Sequence, residues 1–293
     1  MSFLLDPFAV TFVQHALLGG ALVAIVCGIV GTWVVLRGMA FLGEAMAHGM
    51  LPGVAVATLT GFPPMAGAAV SAAAMSLGVG ALQRRGRLSA DTSIGLLFVA
   101  SLSLGIIVIS ASRSFATDAS AILFGDILAI GSADLVALGV ALAVTVAVAA
   151  LGHRSFVALT VDPRQAQLLG LRPRAAHIVL VGLVTLAVVS AYQAVGSLLV
   201  VGMLLGPAVA AGQWTRRIVP TMILAALIGT LSVAVGLLVS WHAATAAGAT
   251  VAFTAICSGA VSTGIRALVR TLTRPDGRRA PASVIPNTPE RTA

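Results

Sequence analysis

Apolar residues come in long, nearly unbroken runs, near 15–36, 43–60, 65–82, 93–111, 134–151, 176–192, 196–212, 218–240 and 250–268, with short polar stretches between them. Each run approaches the roughly 20 residues that a helix needs to cross a hydrocarbon core about 30 Å thick. The runs lack the alternation that barrel strands require. Backbone polar groups inside a membrane must be satisfied within the segment, so the pattern predicts an all-α, polytopic membrane helical bundle of about eight or nine transmembrane helices. A further apolar stretch at 119–131 is too short to cross and carries Asp126. A re-entrant or surface helix on the outer side keeps the in–out alternation intact. The transmembrane domain spans 1–268, and 269–293, rich in Arg, Pro, Thr and Ser, reads as a disordered cytoplasmic tail.

Composition agrees with the pattern: of 293 residues 59% are hydrophobic and 9% charged, and the mean hydropathy is +1.07. The net charge of +8 comes from arginines in short loops and in the tail, which points to orientation by the positive-inside rule rather than to nucleic acid. Arg37, the cluster at 84–87, the loop 153–174, Arg216 with Arg217, and the tail then face the cytoplasm, and only Arg113 dissents. The sequence has no lysine, so it cannot build a phosphate-binding loop that needs one. Cys27 and Cys257 lie inside apolar runs, where a thiol acts as a small hydrophobe.

Against this background Glu44 and His48, in "GEAMAHGMLPG", stand out. Their i, i+4 spacing puts both on one helix face, and carboxylate oxygen with imidazole nitrogen suits a divalent cation. Pro52 and Gly53 break the helix a turn later, and discontinuous helices often line substrate sites. Two readings stand at this point. Either the pair marks a cation route, or Glu44 sits in water at the span's cytoplasmic end while His48 satisfies a backbone carbonyl. Outside the pair, Asp126 and His242 are candidates for an outer vestibule, with His15 beside them; helix-terminal or idle surface roles are the alternatives. His153 and His177 flank the cytoplasmic loop and read as interfacial residues. In that loop Asp162 fits an N-cap, Pro163 the first helical position and Gly170 the C-terminal stop, which predicts a short helix suited to a partner protein.

The runs "VVLRGMAFLGEAMAHGMLPGVAVA", "DPRQAQLLGL" and "AVGSLLVVGMLLGPAVAA" resemble, in order, the membrane permeases of the ABC-type uptake systems for zinc, manganese and iron(II). The resemblance implies a bacterial inner-membrane permease, paired as a homodimer, with no enzymatic activity and no permanently bound cofactor. It implies a cytoplasmic ABC ATPase on each subunit and an extracytoplasmic metal-binding protein as partners. It makes Glu44 and His48 ligands of the transported metal, and Asp162, Pro163, Ala166, Leu169 and Gly170 parts of the coupling helix that docks on the ATPase. The family usually has aspartate at the position of Glu44. Histidine ligation and a likeness to the zinc-assigned members make zinc the first expectation and manganese the second. A gradient-driven secondary transporter would place several ionisable groups at mid-membrane, and the spans offer hardly any beyond Glu44. The run 196–211 reads as a packed helix broken by Pro207 rather than a ligand site, and its face of small residues is a candidate dimer seam.

Overall fold

The computed structural model describes residues 10–84, 89–111, 125–161, 167–168 and 171–272. Its elements are α1 (Thr11–Leu36), α2 (Ala40–Gly49), α3 (Leu51–Thr60), α4 (Pro64–Arg84), α5 (Ala90–Ser110), a 3-10 turn (Ile127–Ala129), α6 (Ser132–Val161), α7 (Pro173–Gly212), α8 (Ile218–Ala243) and α9 (Ala247–Leu272). The termini follow local chemistry. Ser89 Oγ accepts from Thr92 N at 3.1 Å and caps α5. Gly61, at φ +75°, closes α3, a left-handed conformation that costs glycine little.

Among the described residues eight helical spans are long and apolar enough to cross a membrane, with Val200–Gly212 as a shorter apolar helix. That shorter piece belongs to α7, which is 40 residues long and would reach about 60 Å if straight. It is not straight. Gly196 adopts φ 74°, ψ 172°, outside helical space. On one side of it the charge of Arg37 reaches His177; on the other, Val35 packs against Ala208 and Ala211. Both ends of α7 therefore lie beside the same end of α1, so the chain folds back at Gly196. The descending half runs parallel to α9: Gly202 meets Ile256, Gly206 meets Ala255, and Ser262 Oγ donates to the Ala210 carbonyl at 2.9 Å. Among the described residues the bundle therefore holds eight helices of membrane-spanning length and this shorter returning piece, within the expected range of about eight or nine.

The core lies around α1, with Trp33 fully buried, and around α2, α3 and α7. Of the window compared in each span, 72% is buried in Ala40–Thr60 against 22% in each of α4, α5 and α6, whose large exposed residues, such as Val70, Ile107 and Leu151, suit lipid. The segment with Glu44 and His48 is thus an inner one.

Three segments bear on the expectations. Helix α6 continues through His153 and Arg154 to Val161, so the cytoplasmic loop begins later than residue 153. Phe156 and Leu159 are buried there, and the rings of Phe156 and His153 pack edge-on against Trp33 at 5.5 and 5.8 Å. His153 is thereby a packed residue. Second, of the segment 119–131 residues 119–124 lie outside the described residues, and 125–131 hold a 3-10 turn: Gly125 has φ +65°, and Ile127 and Ile130 press against Gly20 and Gly19 of α1. Third, the small residues of 196–211 are used within the chain. A Cβ at Gly206 would strike the Ala255 backbone, so this face belongs to the α7–α9 seam. Both cysteines are free, as expected.

Candidate metal site

Pro52 shapes the site. It has no N–H to give to the carbonyl four residues back, which is that of His48, and its ring crowds that carbonyl. Helix α2 accordingly stops at Gly49, and α3 restarts at Leu51 with the proline in its first turn. Carbonyls at the end of α2 lose their helical partners. One is recovered across the seam, where Ser71 Oγ of α4 donates to the Gly49 carbonyl at 2.8 Å. Just beyond, Gly53 and Gly67 bring the backbones of α3 and α4 into direct contact, each leaving no room for a Cβ on the other. On the other side Gly105 of α5 leaves no room for a Cβ beside Leu51 and Pro52, so the interruption is held between α4 and α5.

His48 is buried at 9% exposure, with Phe98 of α5 set edge-on to its ring at 5.2 Å and 72°. Its Nδ1 is buried and has no hydrogen-bond partner among the described residues. The backbone-carbonyl alternative for His48 therefore finds no support at Nδ1. Leaving a polar atom unpaired in the interior costs about 1–3 kcal/mol, which a ligand at the ring would offset. Glu44, one turn toward the cytoplasm, is exposed on the surface of the single chain, and its charge acts on His48. On the rest of α2 soft contacts fill the space: Met46 Sδ accepts from Ser76 Oγ at 3.5 Å, and Ser76 Oγ stands 2.9 Å from Thr185 Oγ1 of α7. Among the described residues no group of three His, Cys, Asp or Glu side chains comes together as a metal cage. Glu44 and His48 thus stand as a pair of donors on one helix face, without a third beside them among the described residues.

The other sequence candidates stand apart from this pair. Asp126 is exposed and its Oδ1 accepts from Leu128 N at 3.1 Å, capping the 3-10 turn. His242 is exposed in the last turn of α8, with Nδ1 2.8 Å from the Leu238 carbonyl. Both thus take the helix-terminal contacts that were the alternative to a vestibule. Asp162, Pro163, Ala166, Leu169 and Gly170 lie outside the described residues; between them Gln167 and Leu168 are helical and exposed. Sequence reasoning missed Ser71 and Phe98. Ser71 sits among alanines in "VSAAAM", where only the need to satisfy a proline-freed carbonyl would single it out.

The comparisons with known proteins bear on the whole arrangement. A model of the ABC 3 transport family matches residues 9–262. The chain is 38% identical over 249 residues to the manganese transport system membrane protein MntC of Listeria monocytogenes, covering 85% of this chain and 89% of that one. It is 31% identical over 239 residues to a probable iron transport system membrane protein of Haemophilus influenzae, covering 82% and 88%. Among solved structures, PsaBC from Streptococcus pneumoniae, in complex with Fab, matches with a TM-score of 0.80 and 30% identity over 88% of this chain and 94% of that one. These names speak of manganese and iron, and zinc, the first expectation, gains no support from them. The chain belongs to the ABC 3 transport family, as a multi-pass permease subunit of a metal-ion ABC importer in the bacterial plasma membrane rather than an enzyme.

Proposed function

We propose that this permease carries manganese(II) into the cell, with Glu44 and His48 as ligands on its path. The observation that carries the reading is the buried, unpartnered Nδ1 of His48 one helical turn from a carboxylate, at an interrupted helix inside the bundle. A polar group is kept in such a place for a ligand, since a leucine would fill it at lower cost. Carboxylate oxygen and imidazole nitrogen accept manganese, which favours oxygen-rich sets. The names of relatives such as MntC favour manganese over the zinc that the histidine alone suggested. The iron name of the Haemophilus relative supports iron(II) as the second reading.

Two ligands bind a divalent ion weakly, and the exposed side of Glu44 invites more. A second copy of the chain meeting this face would double the set, so the working unit is a homodimer with the pairs facing its axis. Metal arrives from an extracytoplasmic binding protein. It leaves to the cytoplasm as two ATPase subunits, docked on the segment around Gln167 and Leu168, open and close the dimer. Asp162, Pro163, Ala166, Leu169 and Gly170 supply the docking helix. Leu168, 88% exposed, offers an apolar contact there. Alternating access is required, because a path open on both sides would dissipate the gradient that ATP builds. Asp126 and His242, at outer helix ends, are left with a secondary part in receiving the ion.

The test is accumulation of radiolabelled manganese, iron and zinc in a strain lacking the protein, with and without the wild-type gene at matched expression. Restoration of manganese uptake, with zinc at least about tenfold poorer at equal concentration, supports the assignment; an ordering with zinc first overturns it. The test is a demanding one, since intrinsic affinity at nitrogen and oxygen sites runs the other way, with zinc bound more tightly than manganese.

A further inference from the structure

Arg37 counts in the sequence as one of several arginines that orient the chain, and an arginine with that duty alone would point into water. It does not. Its Nη1 donates to the Leu159 carbonyl, in the last turn of α6, at 3.4 Å. Its Nε is buried and makes no hydrogen bond among the described residues. Its charge reaches His177, in the second turn of α7. Leu159 and His177 flank the segment that joins α6 to α7, so one side chain is hydrogen-bonded at the exit of that connection and acts through its charge at the return.

The backbone of Arg37 is equally placed. Its N–H closes α1 on the Trp33 carbonyl at 3.1 Å, and Gly38 next to it takes φ +63°. A residue in that region turns the chain sharply, and α2 begins at Ala40. The linker between α1 and α2 is therefore three residues long, Arg37 to Met39, and Glu44 follows within the next turn and a half. A glycine turn with nothing within 4 Å of its missing Cβ is a natural pivot.

We infer that Arg37 is a positioning residue that couples the α6–α7 connection to the helix carrying Glu44 and His48. A displacement of the Leu159 carbonyl pulls on the guanidinium, and the guanidinium is anchored at the pivot of α2. The rigid fork of arginine suits this, because it holds a direction as well as a charge. The inference rests on the transport reading, in which the α6–α7 connection meets the ATPase.

The experiment uses the whole complex, permease with its ATPase and binding protein, in proteoliposomes with manganese(II) as the probe. It compares wild type with Arg37→Ala and Arg37→Gln, and reads manganese moved per ATP hydrolysed together with recovery of the ATPase on the purified permease. The expected result is normal ATPase recovery and near-normal hydrolysis, with manganese per ATP lowered about tenfold in Arg37→Ala, as the loss of one charge-assisted hydrogen bond implies. Arg37→Gln, which keeps a donor but no charge, should fall between. A part needed only for folding would lower uptake and hydrolysis together and leave their ratio unchanged; that result, or an unchanged ratio at full activity, overturns the inference. Should Arg37→Ala not assemble, the ratio in Arg37→Gln decides alone. A wild-type complex that moves no manganese on ATP overturns the transport reading itself, and with it this inference.

Discussion

Two helices of this bundle are interrupted, and they are interrupted to different ends. At Gly196 the chain of α7 folds back, and the returning half is packed by glycines against α9 until backbone meets backbone at Gly206 and Ala255. At Met50 the break between α2 and α3 is held from two sides, by Ser71 and the Gly53–Gly67 contact of α4 and by Gly105 of α5 against Leu51 and Pro52. It keeps an imidazole nitrogen buried without a partner among the described residues and, one turn away, an exposed carboxylate. The first break is filled with apolar contacts and makes shape. The second leaves polar capacity unspent in a place where that is costly, the feature on which the proposed ion path rests.

The sharpest way to break the comparison is to crowd the packed region. Gly206→Val should fail to give folded protein, because its Cβ meets the Ala255 carbonyl carbon at 2.7 Å and both partners are backbone. The expected cost is about 3 kcal/mol or more, read as loss of monodisperse permease in detergent. Full recovery with an unchanged melting temperature would show that the seam yields.

The opposite outcome is expected at the break beside His48. His48→Leu removes the unpaired buried nitrogen at similar volume, so the permease should melt at the same temperature or higher, by up to about 1–3 kcal/mol of added stability, while manganese uptake is lost. A substantially lower melting temperature would make His48 a structural residue and erase the distinction. A smaller effect is expected from Ser71→Ala, which frees the Gly49 carbonyl at the end of α2. Loss of one neutral hydrogen bond is worth about 1 kcal/mol, so the apparent manganese affinity should weaken about fivefold with the fold intact. An unchanged affinity would show that the clamp does not set the position of His48.

The difference between the regions also explains what could be read from the sequence. The spans were legible because hydrophobic length is a local property, and even 196–212 stood out as a separate run before its fold-back at Gly196 was known. The pair Glu44 and His48 was legible because ionisable groups are rare in such runs. Where α6 ends was not legible: His153 and Arg154 read as loop, but burial of Phe156 and Leu159 against Trp33 carries the helix onward. Tertiary packing overrode local polarity there. The partnership of Arg37 with Leu159, 122 residues away, was hidden for the same reason, since nothing near Arg37 in the chain announces it. Histidine ligation pointed first to zinc, whereas the names of the relatives carry manganese and iron and favour the second expectation.

The central claim is that the interrupted α2–α3 segment is the metal path. ATP-driven manganese uptake by proteoliposomes holding the complete importer tests it most directly, with wild type, His48→Ala and Glu44→Gln compared at equal permease and ATPase content. The account predicts that both variants lose uptake by more than about tenfold, the loss expected when even the supports of a metal ligand are removed, while their melting temperatures stay near that of wild type. Uptake at the wild-type rate in both variants would contradict it and leave the pair as part of the fold.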